Sequence, residues 1–345
     1  MHAANLLCRS NAPLARIAED VGYQTDTAFS RAFRREFGVP PARWRRRRVL
    51  TPSPLPFHLP PMARTLTLSF SCPDTSGIVA EVSAFVAGHK GWITEASQHT
   101  EHELSRFFMR VEIRADSLDF PAGEFAQRFA HLAKQFSMDW KVSDSEQPRR
   151  VVLLCSKQEH CLYDLLARQV AQDFPFVVPC VISNHENHRK VVEAHGIPFH
   201  FVPVTPETKH AAFRKMEQIF RDAQADLIVL ARYMQVLDES MCRDFAGKII
   251  NIHHSFLPSF AGAKPYHQAH RRGVKLIGAT CHFVTPDLDE GPIVEQDVIR
   301  IDHSDTPEDM AHLGKDIEKV VLARGLRAVT EDRVLLAGNK TVIFR

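Results

Sequence analysis

Five prolines fall within residues 50–62, LTPSPLPFHLPPM. Each removes a backbone donor and pins φ, so the run can extend neither a long helix nor a central strand. It predicts a semi-rigid linker over 49–63 and divides the 345 residues into a short head and a long body. Charge divides at the same place. Residues 1–63 hold ten arginines and no lysine against four acids, whereas residues 64–345 carry 33 bases against 37 acids. The head alone is suited to an anion such as a nucleic-acid backbone, and the body has no such bias.

Within the head, apolar spacing predicts helices over 14–21 and 25–37 around Gly22-Tyr23, with Ala28, Phe29, Ala32 and Phe33 on one face and Arg31, Arg34 and Arg35 on another. From Thr65 the period becomes two: Leu66, Leu68 and Phe70 alternate with Thr67, Ser69 and Ser71, which predicts a half-buried strand. A turn cluster, a helix over 78–87, strands over 92–98 and 107–113, a helix over 120–136 and a strand over 138–142 follow. The order β-α-β-β-α-β predicts a ferredoxin-like α+β unit over 64–147. Beyond a polar joint at 146–150, short apolar runs at 151–155, 176–182, 227–230 and 249–252 alternate with helices predicted over 161–171, 188–194 and 206–223. These are the buried parallel strands of a Rossmann-like α/β domain over 148–345, with its site at the strands' carboxyl ends. Thr306-Pro-Glu-Asp309 marks a helix start, and Gly338-Asn339 between apolar runs predicts a closing hairpin.

The composition, 44% hydrophobic and 24% charged, excludes a disordered chain or a collagen-like fibre. Apolar runs fall short of the ~18 residues that suggest a membrane span, and no secretory signal is visible. Seven cysteines form no Cys-x-x-Cys pair, which predicts reduced thiols in the cytoplasm.

Two stretches could carry chemistry. Asn251-Ile-His-His-Ser-Phe-Leu-Pro258 follows a β-like run, so strand alternation puts Asn251 and His253 on one side where the strand meets a cleft. An amide beside an imidazole can hold a developing oxyanion and move a proton; the same groups can also simply satisfy strand-end backbone. His282-Phe-Val-Thr-Pro-Asp-Leu-Asp-Glu-Gly-Pro292 offers carboxylates at Asp287 and Asp289 in a turn closed by Gly291, near an imidazole whose basicity a carboxylate raises. Alone, such a loop is more often just a loop.

Together the two stretches resemble the folate-dependent formyltransferase-fold family. Its Asn-x-His-x-Ser-x-Leu-Pro motif matches Asn251, His253, Ser255, Leu257 and Pro258, and its His-x6-Asp segment matches His282 and Asp289. The resemblance implies a catalytic trio of Asn251, His253 and Asp289. Ala231-Arg-Tyr-Met-Gln-Val-Leu237 resembles the family's folate loop, which implies that Tyr233, Met234, Val236 and Leu237 line the pterin pocket, with His254, Ser255 and His282 as further substrate contacts. Three features point to the deformylase branch, which hydrolyses 10-formyltetrahydrofolate to tetrahydrofolate and formate and so balances one-carbon pools and supplies formate for purine synthesis. None of the 15 glycines forms the Gly-x-Gly of a phosphate loop. His254 stands where transferases of the family usually carry proline, and Gly262-Ala-Lys-Pro-Tyr-His-Gln268 looks like the deformylase version. Residues 64–147 resemble an ACT regulatory module, with Cys72-Pro-Asp-Thr-Ser-Gly77 as its glycine loop.

The resemblance implies a tetrahedral adduct whose oxygen is held by Asn251 and protonated His253, with Asp289 as base on the attacking water and no cofactor beyond the folate substrate. It also implies an amino-acid effector, glycine or methionine, at Asp74 and Gly77, and a homo-oligomer. His253, His254, His267, His270 and His282 lie close in sequence but lack ligand spacing, so no metal is expected. A formyltransferase with an amine acceptor is the alternative within the family. The head resembles one helix-turn-helix unit of AraC-type regulators over 1–48, with Arg31, Arg34, Arg35 and Arg45–Arg48 towards phosphates. Such regulators carry two units, so a DNA-binding regulator is the alternative from another class and DNA is not the expected partner. Met62 is read as a start for the enzyme unit, with 1–61 a fused remnant or an overlong start.

Overall fold

The structure, a computed structural model, describes residues 13–23, 25–37, 40–41, 64–258 and 265–345. The proline-rich segment and Arg45–Arg48 lie outside the described residues. The chain divides into two compact units, 1–62 and 63–345.

In the first unit, α1 (Leu14–Asp20) and α2 (Asp26–Phe37) flank a turn at Gly22, whose φ of +86° suits glycine. Ile17, Ala18, Phe29 and Phe33 are buried, with Phe29 against Phe33 and Tyr23 at ring separations of 5.5 and 5.7 Å. Ala28, read with them, is exposed because it turns away from that seam.

The described residues of the second unit form two large sheets and a two-stranded hairpin. The first is built from β1 (Thr65–Pro73), α3 (Ile78–Gly88), β2 (Trp92–Glu101), β3 (Arg106–Arg114), α4 (Phe125–Gln135) and β4 (Asp139–Asp144). Its strand order is β2-β3-β1-β4, and the β2–β3, β3–β1 and β1–β4 pairs are antiparallel, the ferredoxin-like arrangement. The second helix starts at Phe125 rather than at 120. Pro121 keeps Phe120 out of the helical region, and a 3-10 turn over Ala122–Glu124 leads in. Strand β1 is not half-buried: Thr67, Ser69 and Ser71 are buried too. Their face of the sheet is covered by the chain's closing hairpin, where Phe108 of β3 packs with Ala337, Val342 and Phe344.

The second sheet contains β5 (Arg149–Cys155), α5 (His160–Ala171), β6 (Phe176–Val177), β7 (Val181–Ser183), α6 (Arg189–Ala194), β8 (Phe199–Phe201), α7 (Lys209–Asp222), β9 (Leu227–Leu230), α8 (Glu239–Asp244), β10 (Ile249–His253), α9 (Pro265–Arg272), β11 (Leu276–Phe283), β12 (Ile293–Arg300) and α10 (Pro307–Thr330). The hairpin β13 (Val334–Ala337) and β14 (Lys340–Ile343) closes the unit. Its order is β12-β11-β10-β9-β5-β7-β8, with β6 beside β5. The run β8-β7-β5-β9-β10 pairs in parallel, as expected of the Rossmann-like half, but β11 and β12 continue antiparallel. The single run read over 176–182 is two strands, because Pro179 cannot donate to the ladder.

Helices cover both faces. Leu153, Val229 and Ile252 pack with Leu162, Leu166, Val321 and Leu326 of α5 and α10, while Val152, Ile228 and Ile249 pack with Phe213, Met216 and Phe220 of α7. Helix α10 opens on the expected capping box, Thr306 Oγ1 accepting from the Asp309 amide at 3.2 Å and the Asp309 carboxylate from the Thr306 amide at 3.0 Å. Among the described residues, no helix is long and apolar enough to cross a membrane.

Candidate active site

A cavity of about 460 Å³ opens at the carboxyl ends of β9 and β10. Its floor is β10, an interior strand of the sheet. Parallel pairing with β9 sets Asn251 opposite Leu230, and antiparallel pairing with β11 sets Asn251 opposite His282. Two stretches distant in sequence thus meet because they are neighbouring strands. The amide of Asn251 donates from Nδ2 to His282 Nε2 at 3.2 Å, while His282 Nδ1 donates to the Phe283 carbonyl at 2.8 Å. The backbone bond decides the tautomer, leaving Nε2 as the acceptor.

Asp289 reaches this floor from the loop after β11. Its Oδ2 lies 3.3 Å from His253 Nδ1 and its Oδ1 3.7 Å from His282 Nε2. The loop folds back because the Phe283 amide donates to the Pro292 carbonyl at 2.8 Å and Gly291 allows the approach: a Cβ there would stand 1.8 Å from the Phe283 oxygen. Asp289 sits at φ +58°, a conformation Asp adopts more readily than most residues. The hydrogen bond from His253, then the nearby His282 ring, outweigh burial and hold its carboxyl well below the usual range, so it stays charged. With Nδ1 committed to Asp289, the buried Nε2 of His253 has no hydrogen-bond partner among the described residues. Asn251, His253, His282 and Asp289 all line the cavity, as the sequence motifs imply.

The wall is residues 231–237. The Ala231 amide donates to the Leu154 carbonyl, and the Met234 amide to Ser156 Oγ at 2.9 Å, so the turn after β5 is engaged in holding this wall. Tyr233 and Leu237 are buried behind it, with the Tyr233 hydroxyl donating to Met216 Sδ at 3.6 Å. Met234, Val236 and Leu288 stand exposed at the rim. Ser255 does not line the cavity. It is buried at the end of β10, where its carbonyl accepts from Thr280 Oγ1 at 2.9 Å, a bond that fixes the turn into Leu257. His254 does line it, with its ring 5.0 Å from that of His253. Burial, then the charge of Arg232, pushes the His254 imidazole down to about 4, so it is neutral near pH 7.

Sequence reasoning missed Arg232 and the buried group beneath it. Arg232 holds φ +62°, a conformation that costs a side chain of its size roughly 1–2 kcal/mol. Its Nε lies 3.3 Å from Glu318 of α10, which also accepts from Tyr266 Oη at 3.0 Å and pairs with His160 Nε2 at 2.7 Å. Burial alone would raise Glu318, but His160 and the Arg232 charge outweigh it and hold its carboxyl below the ordinary range. Removing one partner of such a buried pair typically costs ~3–5 kcal/mol. No local spacing announces this group, whose members come from α5, the loop after β9, α9 and α10. His160, Cys161 and Glu318 form the one cluster of metal-ligand composition among the described residues. Burial, then the charge of Glu318, holds the Cys161 thiol well above its ordinary value, and Glu318 already has three protein partners, so the set does not suit a cation.

Of the two residues read as regulatory, Gly77 stands at φ +93° as N-cap of α3, and the exposed Asp74 donates its amide to the Ser105 carbonyl at 3.0 Å.

Comparison with known proteins agrees with this geometry. Residues 149–326 match the formyl transferase family, and residues 1–47 match a helix-turn-helix domain. A formyltetrahydrofolate deformylase of Corynebacterium sp. (strain P-1) is 44% identical over 278 residues, spanning 81% of this chain and 97% of that protein. The crystal structure of a formyltetrahydrofolate deformylase from Pseudomonas syringae pv. tomato is 56% identical with a TM-score of 0.80, over 82% of this chain and 95% of that one. Its counterpart from Burkholderia mallei is 42% identical with a TM-score of 0.79, over 82% of this chain and all of the other. With agreement on this scale in sequence and in fold, the chain belongs to the formyltetrahydrofolate deformylase family.

Proposed function

We propose that this cavity hydrolyses 10-formyltetrahydrofolate to tetrahydrofolate and formate through Asn251, His253 and Asp289. One observation carries the reading: Asp289 stays charged between two imidazoles while the buried Nε2 of His253 is left for a ligand. The names of the relatives support the substrate. A pterin is flat, with polar edges. The exposed side chains of Met234, Val236 and Leu288 offer it apolar surface, and the backbone of 231–237 offers donors and acceptors.

Asn251 Nδ2 and protonated His253 Nε2 donate to the formyl oxygen as it becomes an oxyanion. The charge of Asp289 sustains the imidazolium and orients it. Water attacks the formyl carbon, and Asp289 takes its proton. A carboxylate this weakly basic suffices because the water oxygen becomes strongly acidic as its bond to carbon forms. Nitrogen N10 leaves with a proton. His254, neutral beside His253, helps hold the water. These steps use the chain's own side chains and the folate substrate, with no further cofactor. Purified protein and 10-formyltetrahydrofolate in water are expected to yield formate without any amine; turnover that requires an amine and yields no formate would mean a transferase.

For the remainder of the chain we propose a head over 1–48 and linker over 49–63 outside the catalytic machinery, a regulatory module over 64–147 and the catalytic domain over 148–345, working in the cytoplasm as a homo-oligomer. Glycine or methionine binds the module at Asp74 and Gly77. The ferredoxin-like order and the left-handed Gly77 support this. A side chain at φ +93° is strained, so Gly77→Val is expected to blunt the change in turnover that these amino acids cause. A monomer whose turnover ignores both amino acids would speak against the module's role.

A further inference from the structure

Arg232 is the one arginine or lysine among the described residues lining the cavity, and the proposed mechanism leaves it without work. It is only 7% exposed and lines the cavity. Its Nε is buried and, among the described residues, has no aligned hydrogen-bond acceptor. Glu318 balances its charge from 3.3 Å without alignment, spending its hydrogen-bonding capacity on His160 and Tyr266 instead. A guanidinium carries five donors in a planar fork and does not shed its charge. A buried donor left unaligned is costly, and the strained backbone at φ +62° adds to that cost, so this arrangement points to a ligand that takes the guanidinium's fork.

The chemistry of hydrolysis supplies such a ligand. Water adds its oxygen to the neutral formyl carbon. The bond from carbon to N10 breaks with its electron pair on nitrogen, which takes one proton. The second proton of the water passes to Asp289 and on to solvent. What remains is formate, an anion that was absent when the reaction began, with two oxygens at the spacing a guanidinium fork matches. Transfer to an amine would create no such anion.

We propose that Arg232 is a carboxylate subsite that receives the formate product, with Glu318 fixing its position. This deepens the hydrolytic reading and rests on it. The positive charge is already felt inside the cavity, since it helps keep His254 neutral. For three heavy atoms the affinity is on the order of a millimolar at best, weak enough to let the product leave.

Two measurements on the full chain test this: inhibition of 10-formyltetrahydrofolate turnover by added formate, and line broadening of carbon-13 formate, both at constant ionic strength. Wild type is compared with Arg232→Gly, which relieves the backbone, and Arg232→Lys, which keeps the charge but loses the fork. Formate is expected to inhibit and bind wild type. Its affinity should fall roughly tenfold or more in Arg232→Gly and by an intermediate factor in Arg232→Lys. Equal formate affinity in all folded forms, or no formate binding by wild type, would overturn the proposal. Should Arg232→Gly fail to fold by circular dichroism, Arg232→Lys decides. Line broadening does not depend on turnover: a wild type that binds formate through Arg232 yet releases none from the folate would fail the hydrolytic reading alone.

Discussion

Replacing Asp289 with asparagine is expected to lower turnover of 10-formyltetrahydrofolate by ~10²-fold or more. The substitution is close to isosteric, and asparagine, like aspartate, tolerates the left-handed backbone at φ +58°. The loop clasp between Phe283 and Pro292 involves backbone only and should survive. What goes is the charge. His253 Nδ1, now 3.3 Å from a carboxylate oxygen, would face a neutral amide, so the imidazolium loses its counter-ion and the attacking water loses its base. The loss should appear in kcat at unchanged circular dichroism. Near-wild-type turnover would place the chemistry elsewhere in the cavity.

Asn251→Ala should cost on the order of 10²-fold, again mainly in kcat. An amide nitrogen has two donors. One goes to His282 Nε2, whose other nitrogen is fixed by the Phe283 carbonyl. The second remains for the formyl oxygen. That oxygen is a modest acceptor in the substrate and a strong one in the tetrahedral adduct, so the lost bond is worth more in the transition state than in binding. A rise in KM with kcat intact would instead make Asn251 a ground-state contact.

The ferredoxin-like unit was legible because strand and helix periods alternate cleanly from Thr65 onward, and the parallel strands because both faces are buried and their sequences run apolar. The burial of Ser69 and Thr67 was not legible. Alternation reports the polarity of a strand's own residues, while the hairpin that covers their face comes from the far end of the chain. The antiparallel turn of the sheet at β11 was hidden likewise, since an apolar run such as Leu276–Phe283 carries no mark of its direction.

The site divides along the same line. The sequence offered Asn251, His253, His282 and Asp289 through contiguous motifs that resemble those of the formyltransferase-fold family. It also marked residues 231–237 as the wall. It took the folded chain to show that His282 faces Asn251, that Ser255 lies in the turn outside the cavity, and that Arg232 stands over Glu318 with its Nε unaligned. Strand register and helix packing set those relations. They depend on where distant segments meet, and a buried donor can be recognised as unaligned only once every neighbour that might have accepted from it is in place.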